Sequence, residues 1–310
     1  MEVLISFLAA AVVSGTPLVF ATLGGIMNEK VGNLNLGVEG MMLMGAVMGF
    51  MAAVKTNSVV LALAAAGLAG AMGALIYAFL TVTLKSNQVV TGLTLTIFGT
   101  GFSSMVGKNL IGLSTPDNVK VALSPIKLPI LGDIPFIGDI FFNQDLFVYL
   151  GYIVTILLII YFYNTSAGLN TKAIGENPYA ADSASVNVDL YKYINITIGG
   201  LLCGLGGAYL SLVYVPAWQE GVTAGRGWIA VALIIFSAWK PHKAILGAYF
   251  FGGLDILGFR IQGLVNISQY LIDMIPYIVT ILVLVFTALN KNSKNKAPKG
   301  LGVAYFREER

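Results

Sequence analysis

Residues 28–46 read NEKVGNLNLGVEGMMLMGA and place a short polar, glycine-rich segment between two long apolar runs. Polar backbone that is not helical is tolerated at membrane depth only where protein buries it or water reaches it. Glu39 lies just inside the second apolar run, where an ionised carboxylate is costly unless it faces a cavity or a partner. This combination is more typical of a protein that handles a solute than of an inert membrane anchor.

The composition assigns the chain to the membrane class. Of its 310 residues, 57% are hydrophobic and 11% are charged, whereas a soluble domain carries about 25% charged residues. The net charge of +3 is small, and the Lys and Arg residues are scattered between the apolar runs and in the tail, so nothing indicates a nucleic-acid partner. The single cysteine, Cys203, rules out an internal disulfide.

Nine apolar runs are candidates for membrane-crossing helices, which need about 20 residues each. The sequence therefore predicts an all-α fold, a polytopic transmembrane helix bundle of about nine spans with broken helices. The seventh run is short, and a broken pair formed with the eighth is an alternative to two full spans. The runs are Val3–Met27, Leu36–Val54, Val59–Leu84, Val89–Val106, Leu146–Tyr163, Tyr193–Val215, Gly227–Trp239, Ala244–Phe259 and Leu271–Leu289.

The distribution of Lys and Arg favours an N-terminus outside and a C-terminus inside. If the nine runs alternate with the C-terminus inside, twelve of these residues lie on the inner side and six on the outer side. An excess of positive charge in cytoplasmic connections is the usual pattern in membrane proteins. Half of the inner total comes from the C-terminal tail, so the C-terminal half carries most of this argument.

The domain organisation follows from the runs and their connections. Residues 1–290 are expected to form a single transmembrane permease domain, and residues 291–310 a basic cytoplasmic tail. The proline-containing outer connection Gly107–Asp145 is expected to lie at the membrane surface, packed against the bundle. Residues 164–192 form the longest inner connection, and a polar loop of this length is more typical of a docking segment than of a plain linker.

Polar residues near the break and uncharged polar residues in the fourth run are the candidate solute contacts. Asn35 and Glu39 are four residues apart and would share a helix face. The functional interpretation is a broken helix whose polar end lies beside a solute path. The alternative is a short inner loop followed by an ordinary span, with Glu39 satisfied by a neighbouring helix. In the fourth run, hydrogen bonding to the helix's own backbone is the alternative to solute contact. The candidates for the substrate pathway are Asn33, Asn35, Glu39, Gln88, Thr91 and Thr94.

The inner connection carries Gly175-Glu176-Asn177-Pro178, which predicts a turn followed by a short helix with small surface residues such as Ala181. Such a helix fits a groove on a cytoplasmic partner; a solvated linker helix is the alternative.

Other features have simpler interpretations. The Ala62–Ala78 and Gly200–Ala208 seams of small residues at spacing four indicate helix packing. Asp255 and Asp273 fall in or beside spans, where helix pairing or an interfacial position is favoured over a proton relay. The sequence contains no phosphate-binding loop, zinc-protease or hydrolase motif and no Cys/His metal cluster, so it predicts neither a catalytic site nor a metal site.

Three blocks of this sequence resemble the membrane subunits of bacterial ATP-binding-cassette (ABC) importers, in the branch that includes ribose-type and branched-chain amino-acid permeases. The blocks are GNLNLGVEGMMLMGA, GLNTKAIGENPYAADSASVNV and GRGWIAVALIIFSAWKPHKAILGAYFFGG. Their spacing also fits, so the resemblance covers most of the chain. Within the branch the chain is most similar to the smaller permease of nucleoside importers.

The resemblance implies a multi-pass protein of the bacterial cytoplasmic membrane that imports nucleosides by alternating access. It implies three partners: a second homologous permease subunit, a cytoplasmic ATPase that hydrolyses ATP, and an extracellular substrate-binding lipoprotein. This chain itself would be no enzyme and would hold no cofactor. Under the resemblance, the ATPase coupling contact comprises Gly175, Glu176, Asn177, Pro178 and Ala181.

Two alternatives to nucleoside import stay open on the sequence. A simple-sugar or branched-chain amino-acid ABC permease is the alternative within the class. An ion-coupled secondary transporter that uses Glu39, Asp255 or Asp273 is the alternative from another class, although the polar inner loop argues against it. An intramembrane enzyme has no supporting residue cluster.

Overall fold

The computed structural model describes residues 2–262, 268, 271–272, 274–289 and 296–307. Within these residues thirteen α-helices account for most of the chain, and the only sheet is a two-stranded hairpin. The helices are α1 (Glu2–Lys30), α2 (Val38–Thr56), α3 (Val59–Ala78), α4 (Gln88–Gly107), α5 (Asp117–Ala122), α6 (Ile137–Phe141), α7 (Leu146–Asn164), α8 (Ser166–Glu176), α9 (Pro178–Ser183), α10 (Val188–Tyr209), α11 (Arg226–Phe236), α12 (Pro241–Gln262) and α13 (Ile275–Leu289); the strands are β1 (Ile126–Lys127) and β2 (Asn143–Gln144).

Seven helices in the described part of the chain are long and apolar enough to cross a membrane. They are α1, α2, α4, α7 and α12, together with α3 and α10, which each continue into a π-helical turn. The predicted all-α membrane bundle is therefore confirmed, whereas the count of nine spans and the orientation of the termini stay predictions.

The short seventh run forms α11, which has 11 residues. At 1.5 Å per residue this helix rises about 16 Å, roughly half of the hydrocarbon core. The eighth run forms α12, which has 22 residues and is long enough to cross on its own. Of these two runs only the seventh forms a half-length helix, so the two runs do not form a pair of half helices.

Helix α10 lies at the centre of the bundle and packs against α1, α2 and α3. The predicted small-residue seams lie in these contacts and are confirmed as packing features. A Cβ atom added to Gly70 of α3 would lie 2.8 Å from the Cα atom of Gly204 of α10. Such close approach of two backbones is the reason that small residues occupy helix interfaces in membrane proteins.

The helix contacts fix the relative directions of the central helices. Helix α10 is antiparallel to α1 and parallel to α2, and α11 is parallel to α1. It follows that α2 and α11 run in opposite directions. The pairs that show this are Gly24 with Cys203 and Pro17 with Gly206 (α1–α10), Gly45 with Gly204 and Gly49 with Ala208 (α2–α10), and Gly25 with Ile234 and Glu29 with Trp239 (α1–α11).

The long connection after α4 folds against one end of the bundle. The strands β1 and β2 pair antiparallel with Ile126 opposite Gln144, and α6 packs against α1. Asp145 ends this connection and begins α7, where its carboxylate accepts hydrogen bonds from the backbone nitrogens of Phe147 and Val148. The predicted packing of this connection against the bundle is confirmed.

Candidate functional site

The polar break between α1 and α2 comprises residues 31–37, which are not part of either helix. Neighbouring side chains satisfy its backbone polar groups. Leu34 donates its N–H to Gln88 Oε1 at 2.7 Å and accepts a hydrogen bond on its carbonyl from Tyr77 at 2.7 Å. Thr96 donates to the carbonyl of Leu36 at 3.1 Å. The break is thus buried in protein, as non-helical backbone at membrane depth has to be.

Three of the predicted pathway residues meet at this break. Asn35 accepts a hydrogen bond from the Gly37 backbone nitrogen at 2.8 Å, and Asn33 lies 3.4 Å from Thr81 Oγ1. Together with Gln88, these side chains are buried. The Oδ1 atom of Asn33 and the Nε2 atom of Gln88 find no hydrogen-bond partner among the described residues. Buried polar atoms are rarely left unpaired, so these two amides are the candidates at the break for binding water or a polar solute.

Glu39, the fourth predicted pathway residue near the break, holds the start of α11. One carboxylate oxygen accepts hydrogen bonds from the Thr223 hydroxyl at 2.5 Å and from the Gly225 backbone nitrogen at 2.9 Å. The other oxygen accepts the backbone nitrogen of Gly227 at 2.6 Å. A carboxylate at a helix N-terminus is stabilised by the unpaired N–H groups and the helix dipole. Glu39 therefore links the first turn of α2 to the first turn of α11, which is the neighbouring-helix partner that the alternative to a solute contact expected. The expected shared helix face with Asn35 is wrong, because Asn35 lies before the first residue of α2.

Gly227 allows this contact because it has no side chain. A Cβ atom at this position would lie 2.5 Å from the Cα atom of Glu39, closer than any real Cβ contact. Gly225, one residue before α11, has a φ angle of +79°, which favours glycine. The two glycines of the GRG sequence at the start of α11 are thus explained by one close approach and one left-handed backbone conformation.

Two non-helical segments each lead into a helix, and these two helices run in opposite directions. Residues 31–37 lead into α2, and residues 215–225 lead into α11 without forming an α-helix themselves. The two helices are antiparallel, and their N-terminal turns meet at Glu39. Transporters built from inverted repeats place two broken helices opposite each other in this way.

Arg226 and Asp255 form an ion pair that the sequence did not reveal. Their Nη2 and Oδ2 atoms are 3.1 Å apart, and the two side chains are 14% and 18% exposed. Ser14 also donates to Asp255, and the Arg226 guanidinium lies over the ring of Tyr214. The expected helix pairing of Asp255 is confirmed. Asp273 lies outside the described residues.

The sequence placed Arg226 in an outer connection, whereas the structure places it at the start of α11, beside Glu39 and Asp255. A cavity of about 430 Å³ adjoins the ion pair and is also lined by Tyr277. The signal in the sequence was weak, because a single arginine before a short apolar run usually marks a loop.

Thr91 and Thr94 line a groove of about 150 Å³ between α3 and α4. Thr91 is buried and Thr94 is exposed. Their hydroxyls donate to the backbone carbonyls of Asn87 and Val90 on the same helix. Hydrogen bonding to the own helix backbone was the alternative to solute contact, and the structure shows it at both positions. Neither hydroxyl is directed to the amides of Asn33, Asn35 and Gln88 at the break.

The predicted turn and short helix of the inner connection are confirmed. Helix α8 ends at Glu176, and Asn177 accepts the Ala180 backbone nitrogen at 3.1 Å, which caps α9 with Pro178 in its first turn. Glu176 and Asn177 are exposed, and Pro178 is half-buried. Gly175 and Ala181 are buried within the chain. Of the five predicted coupling residues, two buried ones therefore support the segment and the other three are accessible to a partner.

The described residues hold no group of three or more His, Cys, Asp or Glu side chains that could bind a metal ion.

Comparisons with known proteins agree with this architecture. A family model described as "Branched-chain amino acid transport system / permease component" matches residues 7–284. A protein of Haloferax volcanii, provisionally named glucose ABC transporter permease protein TsgC13, is 36% identical over 97% of both chains. The guanosine ABC transporter permease protein NupQ of Bacillus subtilis is 32% identical over 100% of this chain and 99% of its own. The nucleoside ABC transporter permease protein NupC of Lactococcus lactis is 32% identical over 97% of this chain and 96% of its own.

One solved structure is also similar. It shows an inward-facing conformation of a provisionally assigned metal-chelate type ABC transporter, with a TM-score of 0.50 and 16% identity over 90% of this chain and 84% of that one. At this identity the likeness concerns the fold alone. ABC permeases work with an ATPase and, in general, with a substrate-binding protein. From the family match and the three full-length relatives, the chain belongs to the family of permease components of the branched-chain amino acid transport type, multi-pass membrane subunits of ABC transporters that act as transporters rather than enzymes.

Proposed function

We propose that this chain is one of two homologous permease subunits of an ATP-driven importer that carries nucleosides into the cell by alternating access. Two relatives that match over nearly their full length are named for guanosine and nucleoside transport, and they support this substrate class. A cytoplasmic partner would hydrolyse the ATP, and an extracellular lipoprotein would deliver the nucleoside. This chain would supply half of the pathway.

The observation that carries this proposal is the meeting of two broken elements at Glu39. Helices α2 and α11 begin within the bundle and run in opposite directions from this carboxylate. The side chains of Gln88, Tyr77 and Thr96 hold the backbone of the non-helical segment before α2. A helix that begins at such a segment can tilt relative to its neighbours at a lower cost than a continuous span.

The chemistry of the break suits a neutral polar solute. The two unpaired groups there belong to the amides of Asn33 and Gln88, which offer one acceptor and one donor without charge. A nucleoside presents hydroxyls and base edges that need such partners. The charged groups nearby already have partners. Glu39 accepts a hydrogen bond from the start of α11, and Arg226 forms an ion pair with Asp255. We therefore place the solute beside the break and not at a carboxylate.

The accessible residues of the α8–α9 connection support the ATPase contact. Glu176 and Asn177 are exposed at the turn between the two helices, and Pro178 starts a helix of six residues that a groove on a partner could accept. In this proposal, closure of the ATPase dimer on ATP binding moves α9 and reorients the pathway. The buried residues Gly175 and Ala181 keep the short helix attached to the permease.

A simple sugar is the second candidate substrate. The relative with 36% identity carries a glucose name, and the ribose of a nucleoside shares its hydroxyl chemistry with a hexose. An ion-coupled mechanism is not favoured, because Asp255 is paired with Arg226 and the family is one of ABC permeases.

The test is uptake by the complex purified from its native membrane and reconstituted in liposomes. We expect uptake of labelled guanosine or adenosine when ATP and the binding protein are present, and none with a non-hydrolysable ATP analogue. Unlabelled nucleoside should compete with the label, and glucose should not. ATP-dependent uptake of glucose without nucleoside uptake would show that the substrate is a sugar and not a nucleoside. Uptake by this chain alone, driven by an ion gradient, would overturn the ATP-driven importer.

A further inference from the structure

The C-terminal segment folds back onto the predicted coupling connection. Gly300 donates its backbone N–H to the carbonyl of Gly175 at 2.8 Å, at the end of α8. Two residues later, Gly302 donates to the carbonyl of Gly32 at 3.2 Å, inside the polar break. One short stretch of chain thus bonds to the coupling turn and to the break. The sequence predicted this region only as a basic tail.

Tyr305 anchors the segment to α9. Its side chain is 4% exposed, and its hydroxyl donates to Asp182 Oδ2 at 2.8 Å. Its ring meets the ring of Tyr179 edge to face, with centroids 5.1 Å apart. Burial raises the pKa of Tyr305 above its ordinary value of 10, so the phenol stays protonated and remains a donor at physiological pH.

The residues around Tyr305 come from every element that a coupling movement has to connect. They form a small apolar core, separate from the main one, to which the break, α8, α9 and the start of α10 each contribute one buried side chain. Close packing transmits displacement, because interiors are as dense as organic crystals. These side chains are Val31, Ile174, Ala181 and Val188.

An open groove of about 450 Å³ extends this contact to the protein surface. It is lined by polar and charged residues of the α9–α10 connection and by two residues of the C-terminal segment, Tyr305 and Arg307. The groove continues from the exposed side of α9, where the proposed function places the ATPase. A docked ATPase would therefore contact the segment and α9 together.

We propose that residues 300–307 form a coupling strap, which joins α9 to the polar break and carries the movement of the docked ATPase to α2 and α11. Tyr305 is its positioning residue, and Asp182 is the partner that holds it. This inference rests on the proposed function, because it assumes that an ATPase docks at α9.

The experiment compares three variants of the full complex in liposomes. Tyr305→Ala removes the anchoring ring, Tyr305→Phe removes only the hydroxyl, and Val303→Ala changes a 56% exposed residue of the same strap as the matched control. Two quantities are measured: the amount of ATPase that co-purifies, and the labelled guanosine transported per ATP hydrolysed. If the complex transports glucose instead, labelled glucose is the probe.

We expect Tyr305→Ala to retain the ATPase but to lower transport per ATP by about tenfold or more, since the apolar core and a hydrogen bond to a carboxylate are both lost. Tyr305→Phe should lower it several-fold, and Val303→Ala should leave it unchanged. If Tyr305 had a merely structural role, Tyr305→Ala would lower the yield of complex and leave the transport per ATP unchanged. That result would overturn the strap.

Failure of the strap and failure of the proposed function give different results. A wild-type complex without ATP-dependent transport contradicts the proposed function. A wild-type complex that transports normally, beside a Tyr305→Phe variant and a Tyr305→Ala variant with the same transport per ATP, contradicts the strap alone. If Tyr305→Ala does not fold, the ratio measured for Tyr305→Phe decides.

Discussion

Glu39 accepts the backbone N–H of Gly227 at 2.6 Å, so that the first turn of α2 holds the first turn of α11. The two residues are 188 positions apart in the sequence. Two further donors, the Thr223 hydroxyl and the Gly225 N–H, converge on the same carboxylate. A single side chain thus joins the two broken elements, and its removal should affect both.

Glu39→Gln should destabilise the permease although the two side chains have the same shape. The amide NH₂ would face an N–H donor in place of an oxygen, and the loss of a buried charged acceptor costs about 1.5–3 kcal/mol. The measurement is thermal unfolding of the purified protein in detergent. Glu220→Gln, at an exposed glutamate a few residues before α11, is the matched control and should leave the unfolding temperature unchanged. Equal unfolding temperatures for both variants would show that the Glu39 contacts contribute nothing.

Gly227→Ala tests the close approach of α2 and α11 without removing a charge. The new methyl group would lie 2.5 Å from the Glu39 Cα atom, so the two helices would have to separate. Overpacking of this kind costs about 1–3 kcal/mol. Gly101→Ala is the control, because a Cβ atom there meets no heavy atom within 4 Å. We expect a lower unfolding temperature for Gly227→Ala alone; a stable, active variant would mean that the two N-terminal turns are not tightly packed.

Local features of the site could be predicted from the sequence because they depend on neighbouring residues. The apolar run lengths indicated the membrane helices, and the polar residues around Gly32 indicated the break. The GENP motif indicated the turn and helix α9. In each case the pattern that carries the information lies within a few turns of the element that it forms.

Features that depend on distant contacts could not be predicted in this way. Arg226 looks like a loop residue, because its partner Asp255 lies on another helix. The position of Tyr305 in a buried core depends on four segments that meet only in the folded chain. An apolar stretch inside a charged tail, LGVAYF, was the one available signal of packing.

The Arg226–Asp255 pair should be more sensitive to single than to double substitution. Arg226→Met leaves the half-buried Asp255 carboxylate without its cationic partner, at a cost below the roughly 3–5 kcal/mol of a fully buried pair, whereas the double variant Arg226→Met/Asp255→Leu removes both charges. We expect the unfolding temperature to fall for the single variant and to recover in part for the double variant. If both fall by the same amount, the ion pair does not act as a pair.

Glu176→Arg should detach the ATPase without unfolding the permease. Glu176 is exposed at the turn before α9, so reversal of its charge changes the docking surface and leaves the core intact. The measurement is the amount of ATPase that co-purifies with the tagged permease. Asp117→Arg is the control, since Asp117 is an exposed acid that forms an ion pair with Lys120 at the surface. Loss of the ATPase in both variants, or in neither, would contradict docking at α9.

Cysteine labelling tests the predicted orientation, because the native thiol does not interfere. Cys203 is fully buried against α1, so a membrane-impermeant maleimide should not label the wild-type protein in intact cells or in inverted vesicles. Ser183→Cys places a thiol at the exposed end of α9, and Ser124→Cys places one in the connection at the opposite end of the bundle. With the C-terminus inside, Ser124→Cys should be labelled in intact cells and Ser183→Cys only in inverted vesicles. The reverse pattern would place α9 and the coupling strap outside the cell, where no ATPase could reach them, and would refute the importer and the strap together.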